Sequence, residues 1–305
     1  MLTVAALTRS ALERALAGPG LDLQTGPFVT RLRTDISLIA DGVALLYGAY
    51  AVLPPGGFAD FHLHLFRPRG LRRWYRPQVL LESDGHQLFE PLPLSQAFPM
   101  FEWGLNWCVS NAAHSYLIIH AAVLEKDGRA VILPAPPGSG KSTLCAALAH
   151  RGWRLLSDEL TLVRLDDSGI VPMPRPVSLK NASITLMRDY LDQPVLSRGV
   201  VDTVKGTVAH LMAPADSVVR SAETTRAAWV VFPRYVADAP PTLTPIAKAR
   251  GHMRVAENAF NYSTIGEPAF RALAGLIDDA SCYEFSYSSL DDAVAVFAQL
   301  TPEQP

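Results

Sequence analysis

The feature that constrains this chain most is a glycine-rich loop between a short apolar run and a helical pattern. The run VILP is followed by APPGSGKS, residues 135 to 142. This segment satisfies the phosphate-binding pattern GxxxxGK[ST] except at its first glycine, where Ala135 stands. Around the loop the chain reads as two strands (YLIIHAAVLEKDG and RAVILPA), then the loop, a helix (KSTLCAALAHRG) and one further strand (WRLLSDELTLVRL). This βαβ order predicts an α/β fold around a phosphate site.

The loop residues suit a nucleotide bound with a divalent cation. Glycines let the backbone curl so that successive N–H groups point at phosphate oxygens, and the helix that follows adds its positive N-terminal end. Lys141 would reach the β and γ phosphates, Ser142 would ligate Mg²⁺, and Thr143 would serve as a helix former or phosphate donor. The loop therefore predicts ATP and Mg²⁺ as ligands. The residues predicted to bind the nucleotide are Pro137, Gly138, Ser139, Gly140, Lys141, Ser142 and Thr143.

A phosphate loop alone leaves a nucleotide switch, a transporter ATPase and a kinase open. Asp158 follows Lys141 by seventeen residues, about one helix and one strand. A transporter ATPase would carry a long segment before its acidic strand, together with an LSGGQ-like sequence that this chain does not contain. The short step therefore favours a kinase, in which the next strand returns to the phosphates and supplies a base.

The stretch from His120 to Glu159 resembles the HPr serine kinase/phosphorylase family, and it is most similar to the subfamily called HprK-related kinase A. The shared features are a histidine before the loop, a helix ending in RG, and an acidic pair on the next strand. PRPVSLKN (174 to 181) and KGTVAHL (205 to 211) resemble the subfamily more than the founding enzymes. The resemblance implies a P-loop kinase core of the HPr kinase/PEP carboxykinase-like type, a mixed sheet with flanking helices.

The resemblance also implies roles for individual residues. Asp158 matches the carboxylate that takes the proton of the acceptor serine, and His120 matches the histidine beside it. Thr143 stands where an acidic residue often follows the loop serine, so a carboxylate ligand of Mg²⁺ must come from elsewhere, with Glu159 and Asp202 as candidates. The founding family's downstream signature is missing, which argues against HPr as substrate and against the reverse phosphorylase activity.

Basic and hydroxyl residues further along the chain suit loops bordering a phosphate site, although solvated loops explain them equally well from sequence alone. Lys205 is the strongest of these candidates for binding the nucleotide. The others are Arg175, Lys180, Thr207 and His210. A polar group in AENAFNY, namely Glu257, Asn258 and Asn261, is predicted on a helix, where packing and surface polarity explain it as well as function does.

A change in the local pattern of apolar runs and turns divides the chain into two predicted domains. An amphipathic helix over residues 1 to 18 and a small, mostly antiparallel sheet over 26 to 90 predict an N-terminal β-rich domain, 1 to 95, with a P-loop kinase domain over 96 to 305. His62 and His64 share one strand face, but an ordinary structural role is favoured because no third metal ligand is near. The arginine-rich segment 67 to 77 is read as a basic hairpin tip and as the first place to look for acceptor recognition.

Composition excludes several function classes. A net charge of −2 and a pI near 6.4 give no general attraction for nucleic acid or an anionic membrane. No run approaches the roughly 18 apolar residues of a membrane span, and three scattered cysteines argue against structural zinc and for a reducing compartment. These features predict a cytoplasmic protein without a membrane span, and the family resemblance adds a possible homo-oligomer.

Three functions remain after this reasoning. The preferred one is an ATP-dependent kinase that phosphorylates a hydroxyl, with a serine of a small protein or peptide as the expected acceptor and Asp158 as the general base. A second is a kinase of a small-molecule hydroxyl on the same scaffold, since Asp158 would deprotonate either acceptor. A third is a nucleotide-binding partner module without catalysis.

Overall fold

The structure, a computed structural model, describes residues 1–136 and 138–301. Compactness separates the chain into two units. Unit 1 comprises Met1–Val109 and Ser178–Val219, and unit 2 comprises Ser110–Val177 and Arg220–Pro305. The division differs from the boundary expected after residue 95, because residues 178–219 return to the N-terminal unit. In that unit the Gln96 side chain donates a 2.9 Å hydrogen bond to the Asp202 carbonyl.

The helices and strands of the described residues follow in chain order. The helices are α1 (Arg9–Ala17), α2 (Ser37–Leu46), α3 (Ala97–Ala112), α4 (Lys141–Ala149), α5 (Ala182–Tyr190), α6 (Ala215–Val219), α7 (Lys248–Glu257), α8 (Tyr262–Ile265), α9 (Glu267–Asp278) and α10 (Leu290–Ala298). The strands are β1 (Leu21–Thr25), β2 (Phe28–Thr34), β3 (Val52–Leu53), β4 (Phe61–Phe66), β5 (Gln78–Ser83), β6 (His86–Gln87), β7 (Leu92–Pro93), β8 (Tyr116–Lys126), β9 (Arg129–Pro134), β10 (Arg154–Ser157), β11 (Leu160–Arg164), β12 (Ile170–Val171), β13 (Val177–Lys180), β14 (Val200–Thr203), β15 (Gly206–Leu211), β16 (Arg226–Tyr235), β17 (Thr242–Pro245) and β18 (Ser281–Tyr287).

Unit 1 is built on a seven-stranded sheet in the order β3-β1-β2-β4-β5-β6, with β7 paired to β5. Its neighbours are antiparallel except for β2 and β4, which run parallel with α2 between them in the chain. Part of the region predicted as sheet, residues 26 to 90, instead forms α2, which includes the start of the apolar segment VALLYGAYAVL. The reason is that Ile39, Val43 and Leu46 are buried at helical spacing.

The first helix is shorter than its amphipathic pattern predicts. It begins at Arg9 because Thr8 caps it, accepting a 3.2 Å hydrogen bond from the Ala11 N–H. Leu12 and Leu16 bury its apolar face. Among the described residues, no helix combines the length and apolarity needed to cross a membrane.

Unit 2 is built on a mixed eight-stranded sheet in the order β12-β11-β8-β9-β16-β18-β17, with β10 paired to β8. The predicted arrangement of a mixed sheet with flanking helices is confirmed at this level. Strands β9, β16 and β18 run parallel, while β8 is antiparallel to β9, β10 and β11. Consequently β9 and β10 run in the same direction on either side of β8. They end opposite nearby residues of β8, Ala121 and Val123.

The long central strand β8 separates two layers. Its odd-numbered residues from Leu117 to Val123 belong to a core that also contains apolar residues of α7 and α9. Because side chains alternate across a strand, the even-numbered residues point to the other face. His120 is one of these, and α4 also packs against β8.

Candidate active site

The phosphate-loop sequence adopts the backbone conformation that its glycines predict. β9 ends at Pro134, and Ala135 is buried with φ outside the positive region, so the missing first glycine is accommodated without backbone strain. Gly138 and Gly140 have φ of 86° and 89°, conformations that favour glycine. Pro137, which was predicted to bind the nucleotide, lies outside the described residues.

Helix α4 begins directly after this turn. The Leu144 N–H donates a 3.0 Å hydrogen bond to the Gly140 carbonyl, which starts the helical pattern. In an α-helix the first N–H groups have no acceptor within the helix, and they add to the positive end of its dipole. Lys141 is buried, while Ser142 and Thr143 are half-buried. The Ser139 hydroxyl is buried and has no hydrogen-bond partner among the described residues. This set of N–H and hydroxyl donors fits a phosphate chain.

Two tyrosines that the sequence reasoning did not single out brace the loop. The Tyr235 N–H donates to the Ser139 carbonyl at 3.1 Å, and the Tyr287 hydroxyl donates to the Gly140 carbonyl at 3.3 Å. Burial, with a smaller contribution from Tyr235, raises the pKa of Tyr287, so its phenol stays protonated as a donor. The two tyrosines are the last residues of β16 and β18, which run parallel to β9, and no sequence motif pointed to them.

The acidic pair lies at a break in the strand that was predicted over WRLLSDELTLVRL. The continuous strand was wrong: β10 ends at Ser157 and β11 begins at Leu160, with Asp158 and Glu159 in the bend between them. The Ser157 hydroxyl accepts a 3.1 Å hydrogen bond from the Leu160 N–H and closes the bend. Both short strands pair with β8, so the break displaces the acidic residues without ending the sheet.

His120 lies near the middle of β8, level with the end of β9 and the start of β11. It stands opposite Leu160 on β11, and the neighbouring Ala121 stands opposite Pro134 on β9. The His120 N–H donates to the Asn258 carbonyl at 2.7 Å, and its ring lies 5.6 Å from the Phe260 ring. The last residues of β9 and β10 and His120 on β8 therefore lie at neighbouring positions on three adjacent strands.

Strand spacing gives the scale of this site. β9 and β10 lie on opposite sides of β8, and neighbouring strands are 4.7–4.9 Å apart, so their ends are roughly 10 Å from each other. That distance is of the size of a triphosphate chain with an acceptor hydroxyl beside it.

Cys145 links the loop lysine to the acidic residue. It stands four residues after Lys141 on α4, so the two share one helix face. Burial raises the pKa of the Cys145 thiol well above its ordinary value, and the negative charge of Asp158 raises it further, whereas Lys141 lowers it. A hydrogen bond to Asp158 is a further and smaller cause of the raised pKa of this thiol. Lys141 and Asp158 are 7% and 5% exposed, so a buried cation and a buried carboxylate both act on one side chain.

The remaining predicted site residues are divided between the units. Arg175 is buried in unit 2. Unit 1 holds Lys180 at the end of β13, Asp202 within β14, and Lys205 at the turn between β14 and β15. The Lys205 ammonium lies 5.3 Å from the centre of the Trp103 ring, and Asp202 is exposed with a φ of 57°. Thr207 and His210 lie on β15 in the same unit, so the nucleotide and metal roles of Asp202 and Lys205 stay predictions.

The polar group of AENAFNY is structural. α7 ends at Glu257, which is earlier than the predicted helix. The Asn261 side chain then accepts from the Ile118 N–H and donates to the Tyr116 carbonyl, both at 2.9 Å. The His120 N–H also donates to the Asn258 carbonyl. This segment therefore bonds to β8 where its pairing with β9 ends at Pro134. The group therefore holds the strand that carries His120.

The oxygen, nitrogen and sulfur donors of the described residues limit where a metal ion could bind. Among the residues that the structure describes, no three His, Cys, Asp or Glu side chains gather as a metal-binding group. His62 pairs with Asp84 at 3.0 Å, and His64 stacks on Phe66, in keeping with their ordinary strand role. Within unit 2, Ser142 and Glu159 are half-buried oxygen donors of the type that Mg²⁺ uses together with nucleotide phosphates.

Comparisons with known proteins add a partial family match and a distant structural one. The model of the family described as SynChlorMet cassette protein ScmC matches residues 100–176, less than half of the chain but including His120, the loop and the acidic pair. No curated protein matches the chain. A solved structure of the Hpr(Ser) kinase/phosphatase from Coxiella burnetii is similar over 60% of this chain and 95% of its own, with 12% identity and a TM-score of 0.28. A likeness at that score carries no argument about activity, so the HPr kinase resemblance stays a prediction.

Proposed function

We propose that this protein is an ATP-dependent phosphotransferase that moves the γ-phosphoryl group to a hydroxyl. The observation that carries the proposal is the convergence of the phosphate loop and Asp158 at one end of the unit 2 sheet, with Lys141 and Asp158 both acting on Cys145. A phosphate loop alone supports binding. A buried carboxylate next to the loop lysine supports transfer, because phosphoryl transfer needs positioning, charge neutralisation and a base.

The loop would hold the phosphates through its backbone. Gly138 and Gly140 turn the chain, and the first N–H groups of α4 supply donors at the positive end of the helix. Ser139 adds a buried hydroxyl, and Lys141 adds the positive charge for the β and γ phosphates. Because Lys141 is buried, its charge is screened little by solvent and acts strongly on the transferring group.

Asp158 would act as the general base. In the proposed step the acceptor hydroxyl gives its proton to the Asp158 carboxylate as its oxygen attacks the γ-phosphorus. The bond from that phosphorus to the bridging oxygen breaks, and ADP leaves with the electron pair. His120 would serve as a positioning residue, since it lies on the adjacent strand across from Leu160, two residues beyond Asp158.

Ser142 would hold Mg²⁺, with Glu159 of the same unit as the carboxylate ligand. When bound, the ion neutralises charge on the β and γ phosphates. The acceptor we propose is a serine of a small protein or peptide. A metabolite hydroxyl is the alternative acceptor for the same base.

One observation favours a second candidate, a nucleotide-binding module without transfer. The Cys145 thiol donates a hydrogen bond to Asp158, which occupies one lone pair of the proposed base. A binding module would retain tight ATP binding and show no transfer.

The proposal is tested by incubating the protein with γ-labelled ATP, Mg²⁺ and a lysate of its own cells. We expect a labelled species with the wild type that is lost with both Lys141→Ala and Asp158→Ala. Label on a protein band indicates a protein acceptor, whereas label only in the small-molecule fraction indicates a metabolite acceptor. ATP binding without labelling of either fraction would overturn transfer and support the binding module.

A further inference from the structure

Unit 1 contains a cavity of about 150 Å³ at the end of β2 and β4. Its walls come from the last turn of α1, the end of β2 and the segment that follows β4. The lining residues that matter are Arg33, Asp35, His64, Phe66 and Arg67, with Leu16 on the apolar side. None of them belongs to the loop or to the acidic pair of unit 2.

Cationic groups dominate the polar wall. Arg33 on β2 stands directly opposite His64 on β4, and Arg67 follows the last residue of β4. Neither Arg33 nor Arg67 makes an ion pair or a side-chain hydrogen bond with another described residue. The one lining carboxylate, Asp35, is exposed. Two guanidinium groups therefore line one cavity with a single lining acid, and Glu82 on β5, opposite His64, is a second carboxylate nearby.

Arg67 is the residue that points to a ligand most directly. Its Nε is buried, yet it has no hydrogen-bond partner among the described residues. A buried guanidinium N–H without an acceptor costs free energy, which an oxyanion at this place would recover. Guanidinium groups present several N–H donors in a fixed plane and match the oxygens of carboxylates and phosphates.

We infer that this cavity binds a small oxyanion group, a carboxylate or a phosphate, between Arg33, His64 and Arg67. Its volume suits one such group with a short carbon stem against Leu16 and Phe66, and it is too small for a nucleotide. The site is independent of the proposed phosphotransfer, because none of its residues belongs to unit 2. It gives His64 and Arg67 a shared role, whereas the basic hairpin tip predicted over 67 to 77 accounts for Arg67 alone.

The test uses sulfate as the tetrahedral probe and acetate as the carboxylate probe, added separately to the full chain. Both are measured in the Lys141→Ala background, so that the phosphate loop is weakened as a competing anion site. The readout is the imidazole NMR signal of His64, assigned by its loss in His64→Gln. We expect a saturable shift with at least one probe, and the stronger probe identifies the ligand class.

The arginine variants decide whether the cavity itself is responsible. Arg67→Gln should weaken binding by about tenfold or more, because it removes charge-assisted hydrogen bonds. Arg69→Gln is the matched control: it removes the same charge from an exposed residue that does not line the cavity, and it should change binding by about twofold or less. A His64 signal that saturates with neither probe, or equal losses in the two variants, would overturn the inference.

Discussion

The loop end of unit 2 and the cavity of unit 1 both suit oxyanions, but different parts of the chain build them. In unit 2 the donors are backbone N–H groups held by two positive-φ glycines, and a buried lysine and a buried carboxylate adjoin them. In unit 1 the donors are side chains at the edge of a sheet, and the nearby acid is exposed. N–H donors and cations are enough to bind an anion, whereas transfer also needs a base held beside them.

The largest expected effect concerns the scaffold of unit 2. Arg154 bonds Glu125 at 2.6 Å with both side chains almost fully buried, and it also donates to the carbonyls of Arg220 and Glu223. Arg154→Met leaves the buried Glu125 with only the partly exposed Arg220 guanidinium, 3.9 Å away, as a cation among the described residues, so we expect the free energy of unfolding to fall by about 3–5 kcal/mol in denaturant titrations. Arg9→Met, which breaks exposed pairs with Glu13 and Asp41, should cost about 1 kcal/mol or less. Equal losses would contradict the burial argument.

The next effect separates the two glycines of the loop. Both have positive φ, so alanine at either should cost about 1–3 kcal/mol of strain in the free energy of unfolding. A Cβ on Gly140 would also lie 2.8 Å from the Tyr287 hydroxyl, whereas a Cβ on Gly138 would meet open space. ATP titrations should therefore show a larger loss of affinity for Gly140→Ala than for Gly138→Ala. The reverse order would show that Tyr287 does not shape the loop.

Much of unit 2 could be predicted from the sequence, because its signals are local. The loop pattern placed the start of α4 at Lys141, and the Asp127–Gly128 turn between apolar runs gave the β8–β9 hairpin. The bend at Asp158 was missed because the surrounding residues read as one apolar run, and the Ser157 bond that makes it carries no pattern. Cys145, Tyr235 and Tyr287 could not be found because their contacts with the site depend on tertiary packing.

Unit 1 was harder to predict for the same reason. α2 resembled a strand because its apolar residues are dense, and only burial at helical spacing distinguishes the two. Residues 178–219 join unit 1 through contacts distant in sequence, which a change in local texture does not reveal. The proximity of Arg33, His64 and Arg67 likewise depends on the parallel pairing of β2 with β4.

A smaller effect is expected from the tyrosine brace. Tyr287→Phe removes the hydroxyl that donates to the Gly140 carbonyl and keeps the ring stacked on Phe285. We expect ATP binding to weaken by about 0.5–1.5 kcal/mol, measured by calorimetry. Tyr283→Phe, two residues earlier on the same strand, is the control and should bind ATP like the wild type.

The smallest effect is a pH dependence confined to unit 1. Burial lowers the pKa of His64, and Arg33 lowers it further, while Glu82 and Asp35 oppose the shift. His64 is therefore neutral at pH 7.5 and gains its charge only below its ordinary value of 6.5. Sulfate stays a dianion over this range, so its binding to the cavity should strengthen by about threefold to tenfold between pH 7.5 and 5.5. His64→Gln should abolish that change, and an unchanged pH profile in this variant would exclude His64 as its cause.

The central claim is that Asp158 is the base of a transferring site, and one paired measurement on Asp158→Asn tests it most directly. Asparagine keeps the size of the side chain and can still accept the hydrogen bond of Cys145. We expect ATP affinity to stay within about threefold of wild type while the rate of phosphate transfer from γ-labelled ATP falls by about 10²–10⁴-fold. Transfer at the wild-type rate with normal ATP binding would contradict the account.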